Sequence, residues 1–312
     1  MKLPRVSFAL TLFGLLLITV PALAQNTKDQ ITVPLLVEKN RPYVELTFQR
    51  PDGSKRKAHF LVDSGGGGFQ IAEPLARDLG LKWGPTMREE NGEFALITNP
   101  PKVWIGDFPL EIDPKMVGVN LGVSAVLPNE LAPFPHEGLL PGRVLAKYHV
   151  VFDYPKGKFT IARAGVLKPA GASLPMPVNP LTGFPRAELE IDGKTYGFLI
   201  DTGAAVTIVS DVLLKALGAA HPDWQRHPGA YGEGALQGGR TVETMSLPGG
   251  RWGAHQLKEF VVVSQPEGVY ERTTSRRMTA PVMGSVAGNV LKRFRVELDY
   301  PNAKLYLSVA KE

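Results

Sequence analysis

Apolar and polar residues alternate in short runs along much of the chain, as in YVELTF (43–48) and RAELEIDGKTYGFLID (186–201). A two-residue period is the mark of half-buried β-strands. Asp192-Gly193 inside the second run is a strong hairpin-turn signal, and RPDGSKRK (50–57) predicts a longer hairpin in the first. Helical spacing is confined to short stretches. AEPLARDLG (72–80) has Pro74 early and Gly80 late, and SDVLLKALG (210–218) has Ser210 as N-cap and Gly218 as the residue after the end. Each half then finishes in two strands around a proline turn, VVFDYPKGKFTIA (150–162) and VELDYPNAKLYLS (296–308). Strands that dominate over one or two short helices per half argue for paired β lobes.

The pattern is written twice. A shift of 138 residues lays Phe60-Leu61-Val62-Asp63-Ser64-Gly65 on Phe198-Leu199-Ile200-Asp201-Thr202-Gly203, and a shift of 146 lays 142–162 on 288–308. A fainter match pairs PYVELTF (42–48) with PRAELEI (185–191). Three matches in one order read as a tandem duplication. AGVLKPAGASLPMPVNP (164–180) has no sustained period and reads as the joint. The expected organisation is a first lobe at 25–166, a linker at 167–177 and a second lobe at 178–312.

Residues 1–24 form a different segment. Lys2 and Arg5 precede an apolar run from Val6 to about Val20, and small residues at Ala22 and Ala24 suit cleavage after Ala24. This is the arrangement of a secretory signal peptide. The expected location is therefore periplasmic or secreted, with no stable membrane span once the signal is removed. Without the segment the balance is 33 basic against 30 acidic residues, or +3. The basic residues are scattered apart from GSKRK (53–57) and carry no interleaved aromatic stripe, so nucleic acid is not an expected partner.

The chain has no cysteine, which excludes disulfides, zinc–thiolate sites and thiol nucleophiles. Its six histidines show no H-x-x-x-H spacing. GGGG (65–68) follows a strand but lacks the Lys-Ser/Thr of a phosphate loop, and neither GVSAV (122–126) nor GSVAG (284–288) is a nucleophile elbow. Asp153 and Asp299 precede Tyr-Pro and read as turn caps. No metal and no cofactor is expected.

What remains is a carboxylate placed twice at the end of an apolar strand. A buried ionised carboxylate is expensive unless compensated, so Asp63 and Asp201 are expected to meet. The Ser64 and Thr202 hydroxyls can bond to backbone across the two copies, while Gly65 and Gly203 turn the chain tightly. Two carboxyls about 3 Å apart share one proton, and their pKa values split.

The paired hydrophobic–hydrophobic–Asp-Ser/Thr-Gly motifs resemble those of the pepsin and retropepsin superfamily of aspartic proteases. LLPGRVL (139–145) and VAGNVL (286–291) resemble that family's second element, in which two apolar residues and a glycine pass under the active-site loop. The Asp-Tyr strands are similar to those of bacterial exported retropepsin-like proteins. The resemblance implies an all-β fold with acid-protease-type β-barrel lobes flanking a central cleft. It further implies an aspartic endopeptidase with Asp63 and Asp201 as catalytic dyad, supported by Ser64, Gly65, Thr202 and Gly203. Its substrate would be a peptide or protein, and the single chain would work as a monomer. The alternative is an inactive member of the fold that binds peptides or a protein partner in the cleft. Gly66 and Ala204 stand where pepsin-like enzymes carry a hydroxyl, which implies a dyad that is easier to protonate and activity nearer neutral pH. YGEGALQGG (231–239) is the better candidate for a lid over the cleft, and ENGEF (90–94) the poorer.

Overall fold

The computed structural model describes residues 29–89, 92–120, 137–228 and 242–309. The fold is all-β with a few short helices, built on three sheets. The first half supplies a ten-stranded sheet. In spatial order its strands are Met87–Glu89, Gly92–Leu96, Val117–Asn120, Phe69–Ala72, Gly138–Pro141, Lys55–Asp63, Arg41–Gln49, Val103–Ile105 and Phe108–Pro109, with Leu36–Glu38 paired to Arg41–Gln49. The second half supplies seven strands in the order Arg186–Ile191, Lys194–Ile200, Gly284–Val286, Thr207–Ser210, His255–Gln265, Glu243–Trp252 and Arg226–Pro228. Glu190 pairs with Arg251, so this sheet closes on itself as a barrel. Closure removes the exposed edge that an open sheet would carry.

Alternation decides which face is inside. In Arg186–Ile191, Ala187, Leu189 and Ile191 are buried while Glu188 and Glu190 point outward. Alternation then gives way to continuous burial at Phe60-Leu61-Val62 and Phe198-Leu199-Ile200, where each strand passes between layers and ends at or just before an aspartate. The turn chemistry holds as well: Asp192 and Gly193 take φ values of 52° and 69° between their two strands. Ser210 caps helix Asp211–Ala220 by accepting from Leu213 N at 3.1 Å. That helix nevertheless runs two residues past Gly218. Gly80, which follows helix Glu73–Asp78, does turn the chain with φ 62°. Gly218 is helical, and its missing side chain leaves room for the Arg226 guanidinium lying against it.

The third sheet joins the halves. Its six strands run Gln30–Pro34, Lys158–Ala162, His149–Asp153, Phe294–Asp299, Lys304–Val309 and Ser173–Pro175. Ser173–Pro175 falls inside the stretch read from sequence as a linker. It pairs with the last strand through Leu174–Leu305, a backbone partnership that no local period reveals. At the centre, His149–Asp153 pairs antiparallel with Phe294–Asp299. Val150, Phe152, Val296 and Leu298 fill one side. The other side carries a buried ionic cluster. Glu297 bonds to His149 Nε2 at 3.2 Å, to Arg295 and to Ala170 N at 3.1 Å, and Asp299 lies 3.9 Å from His149 Nδ1. Burial holds the His149 pKa below its ordinary value. Asp153 and Asp299 also accept the turn bonds expected of them, from Lys156 N at 3.2 Å and Asn302 N at 3.4 Å.

The halves also exchange turns. Asn40, in left-handed backbone with φ 67°, sends its Nδ2 to Ala205 O at 3.1 Å and packs its carbonyl against Gly288. In the opposite direction Gly183, with φ 74°, packs on Gly142 and Arg143. A side chain at 288 would meet the Asn40 backbone, which cannot rotate away. Gly288→Ala is therefore expected to lower stability by about 3 kcal/mol, the upper end of the overpacking range, read as a lower urea midpoint with unchanged m-value.

Candidate active site

Asp63 and Asp201 arrive by equivalent routes. Lys55–Asp63 lies parallel to Gly138–Pro141, with Pro141 opposite Asp63, and Lys194–Ile200 lies parallel to Gly284–Val286, with Val286 opposite Ile200. The short helix Gly142–Leu145 follows its support strand directly, and Gly288–Leu291 follows after Ala287. Gly142 sits against the Ser64 carbonyl, while Gly288 N and Asn289 N each donate at 3.0 Å to the carbonyls of Ala204 and Ala205. These are the LLPGRVL and VAGNVL stretches.

Ser64 and Thr202 lock the loops together with four reciprocal bonds. Ser64 N donates to Thr202 Oγ1 at 2.9 Å and Thr202 N donates to Ser64 Oγ at 3.0 Å. Each hydroxyl then donates to the strand of the other half, Ser64 Oγ to Ile200 O and Thr202 Oγ1 to Val62 O, both at 2.6 Å. Both residues are fully buried. The lock sets each carboxyl against the turn glycine of the other half, Asp201 by Gly65 and Asp63 by Gly203, and both aspartates stay partly exposed.

The glycines are demanded by this approach. A Cβ on Gly65 would stand 2.8 Å from Asp201 Cγ, and one on Gly203 would stand 2.5 Å from Asp63 Oδ1. Gly66 is equally constrained, since its Cβ would stand 2.7 Å from Asp63 Oδ2. Gly67 has open space around it, so only the first half of GGGG answers to the carboxylates.

The two acids are unequal. Asp201 Oδ1 accepts from Gly203 N at 3.0 Å and Ala204 N at 3.1 Å, whereas Asp63 Oδ1 accepts from Gly65 N at 3.0 Å. Burial raises both pKa values; the Asp201 charge raises Asp63 further, well above the carboxylate range, while the backbone donors hold Asp201 back.

One residue of this neighbourhood escaped the sequence reading. Arg41 is only 7 % exposed, and its Nε donates to Gly203 O at 2.8 Å. Nothing in a hairpin-flanking Arg-Pro signals that role, because its partner lies 162 residues away. Of the lid candidates, 231–239 lies outside the described residues. From ENGEF, Gly92 onward belongs to a strand paired with Met87–Glu89. Among the described residues, no three His, Asp or Glu side chains group in a way that could hold a metal ion.

A carboxyl whose pKa is raised on folding contributes stability that is fully present below the unfolded value, near 3.8, and is lost as pH climbs toward the folded value. Asp63→Asn removes that loss. The variant is expected to melt above the parent at pH 7 and level with it at pH 3.5, by calorimetry at both values.

No family model and no curated relative matches the sequence. Among solved structures, the crystal structure of an aspartic proteinase from Irpex lacteus superposes with a TM-score of 0.53, covering 90 % of this chain and 97 % of its own, at 12 % identity. At that identity the likeness carries the architecture alone: this chain has the all-β fold of the aspartic proteinases.

Proposed function

We propose that the protein is an aspartic endopeptidase in which Asp63 and Asp201 activate a water against a peptide carbonyl. The observation that carries this reading is the reciprocal Ser64–Thr202 lock, which packs each carboxyl on the turn glycine of the other half. Such a pair shares one proton, so one member is a base and the other an acid at the same pH.

The donor asymmetry assigns the roles. Asp201, with two backbone N–H groups on its oxygen, is the carboxylate and takes a proton from the water. Asp63 keeps the shared proton and donates it to the substrate carbonyl oxygen. The water oxygen bonds to the carbonyl carbon and a tetrahedral diol forms. Collapse returns the proton from Asp201 to the leaving nitrogen, the C–N bond breaks, and Asp63 recovers its proton. Ser64 and Thr202 position without reacting, and Gly65 and Gly203 leave room for the pair. In this reading the chain is exported after cleavage behind Ala24 and works as a monomer, because a single chain supplies both acids.

Incubating the mature chain with a peptide library across pH 3 to 8 tests the proposal. Asp63→Asn and Asp201→Asn are each expected to cut kcat by about a thousandfold or more. The profile should be bell-shaped, with its acid limb above the ordinary carboxylate range because both pKa values are raised. A peak at strongly acid pH with no activity by neutrality would overturn the pH assignment. Peptide binding without cleavage at any pH would instead favour a binding role for the fold.

A further inference from the structure

The site is pseudo-symmetric except for one charge. Arg41 precedes PYVELTF, and the residue at the matching place before PRAELEI is Phe184, buried in an apolar cluster with Leu199, Ala204 and Ala287. The first half thus presents a guanidinium behind the second active-site loop, and the second half presents a phenyl ring. The cation is built in. Asn40 anchors its turn to Ala205 O at 3.1 Å, the Arg41 Nε reaches Gly203 O at 2.8 Å, and the residue is 7 % exposed.

We propose that Arg41 is a positioning residue of the dyad: it fixes the second loop through the Gly203 carbonyl, and its permanent charge makes Asp201 the member that stays ionised. This deepens the peptidase reading and rests on the same pair of carboxyls. Gly203 lies two residues from Asp201, and its N–H is one of the two donors on that carboxylate, so a held Gly203 is a held donor. The guanidinium also acts through space, favouring the charged form of both carboxyls. Burial lowers the pKa of Arg41 from 12.5, yet a guanidinium remains charged in proteins. The other titratable groups acting on this set are tyrosines and one glutamate. Asp201 bears on Tyr154 and Tyr270, Asp63 on Tyr300, and Tyr43 faces Arg41, with Glu38 bearing on Tyr43 in turn. Burial raises all four phenols above their ordinary value, so they stay neutral across the working range and cannot replace the cation.

The test needs no substrate. In mature protein labelled with carboxyl-13C aspartate, NMR titration reads the two macroscopic pKa values of the pair directly. Arg41→Met is expected to raise the lower one by about one unit, the small end of the effect of a neighbouring opposite charge. Arg41→Gln, which keeps a donor but no charge, should shift it likewise and carries the comparison if the Met variant fails to fold. Arg41→Lys should hold it close to the parent value. In the pH–rate profile the acid limb should move with the lower pKa. Folded uncharged variants whose titration matches the parent, or a Lys variant shifted as far as Met, would overturn the proposal. A parent that cleaves no peptide while its titration responds as stated would sink the peptidase reading and leave this inference standing.

Discussion

Two like-charged acids do not stay together unless something else holds them, and here the holding is done by two hydroxyls. Ser64 and Thr202 each accept from the other's backbone N–H and each donate to a carbonyl on the opposite strand, all at 2.6–3.0 Å. Each such bond contributes about 1 kcal/mol net, but the loss of one partner would strand a buried donor or acceptor at greater cost. The lock is therefore cooperative. It fixes the spacing of the loops, that spacing requires glycine at 65 and 203, and burial raises both carboxyl pKa values, Asp63 further through the charge on Asp201.

The remainder of the architecture keeps that lock from being pulled apart. The central sheet runs without interruption from Gln30–Pro34 in the first half to Lys304–Val309 in the second, so the halves cannot separate without breaking the pairing of His149–Asp153 with Phe294–Asp299. The buried Glu297 joins His149, Arg295 and the Ala170 backbone across this seam. Such a cluster is weak as a source of net stability but costly to break from one side. The exchanged turns at Asn40 and Gly183 brace the loops from behind, each pressing on a glycine or its neighbour in the opposite half.

Near-symmetry brings the acids together, and departures from it let them differ. Equivalent strands, support helices and hydroxyls give each half the same frame. Ala204 N adds a second donor on Asp201, and Arg41 stands where its counterpart is Phe184. A pair that shares one proton needs such inequality if one member is to act as base and the other as acid.

The all-β class, the hairpin at Asp192-Gly193, the Ser210 cap and the two acid-bearing motifs were legible in the chain itself. They depend on periods of two residues, on local turn conformations and on a pattern repeated nearly unchanged. Gly218 marks where local reading stops, since a glycine that makes space for Arg226 looks the same in sequence as one that ends a helix. The strand at Ser173–Pro175, the ionic cluster around Glu297 and the contact of Arg41 with Gly203 were decided only by the tertiary structure. Each joins residues more than 120 positions apart, through backbone partners or through charges whose meaning depends on what is buried beside them. Sequence determined that two carboxylates would be carried to strand ends; folding decided which of them is better placed to keep its charge.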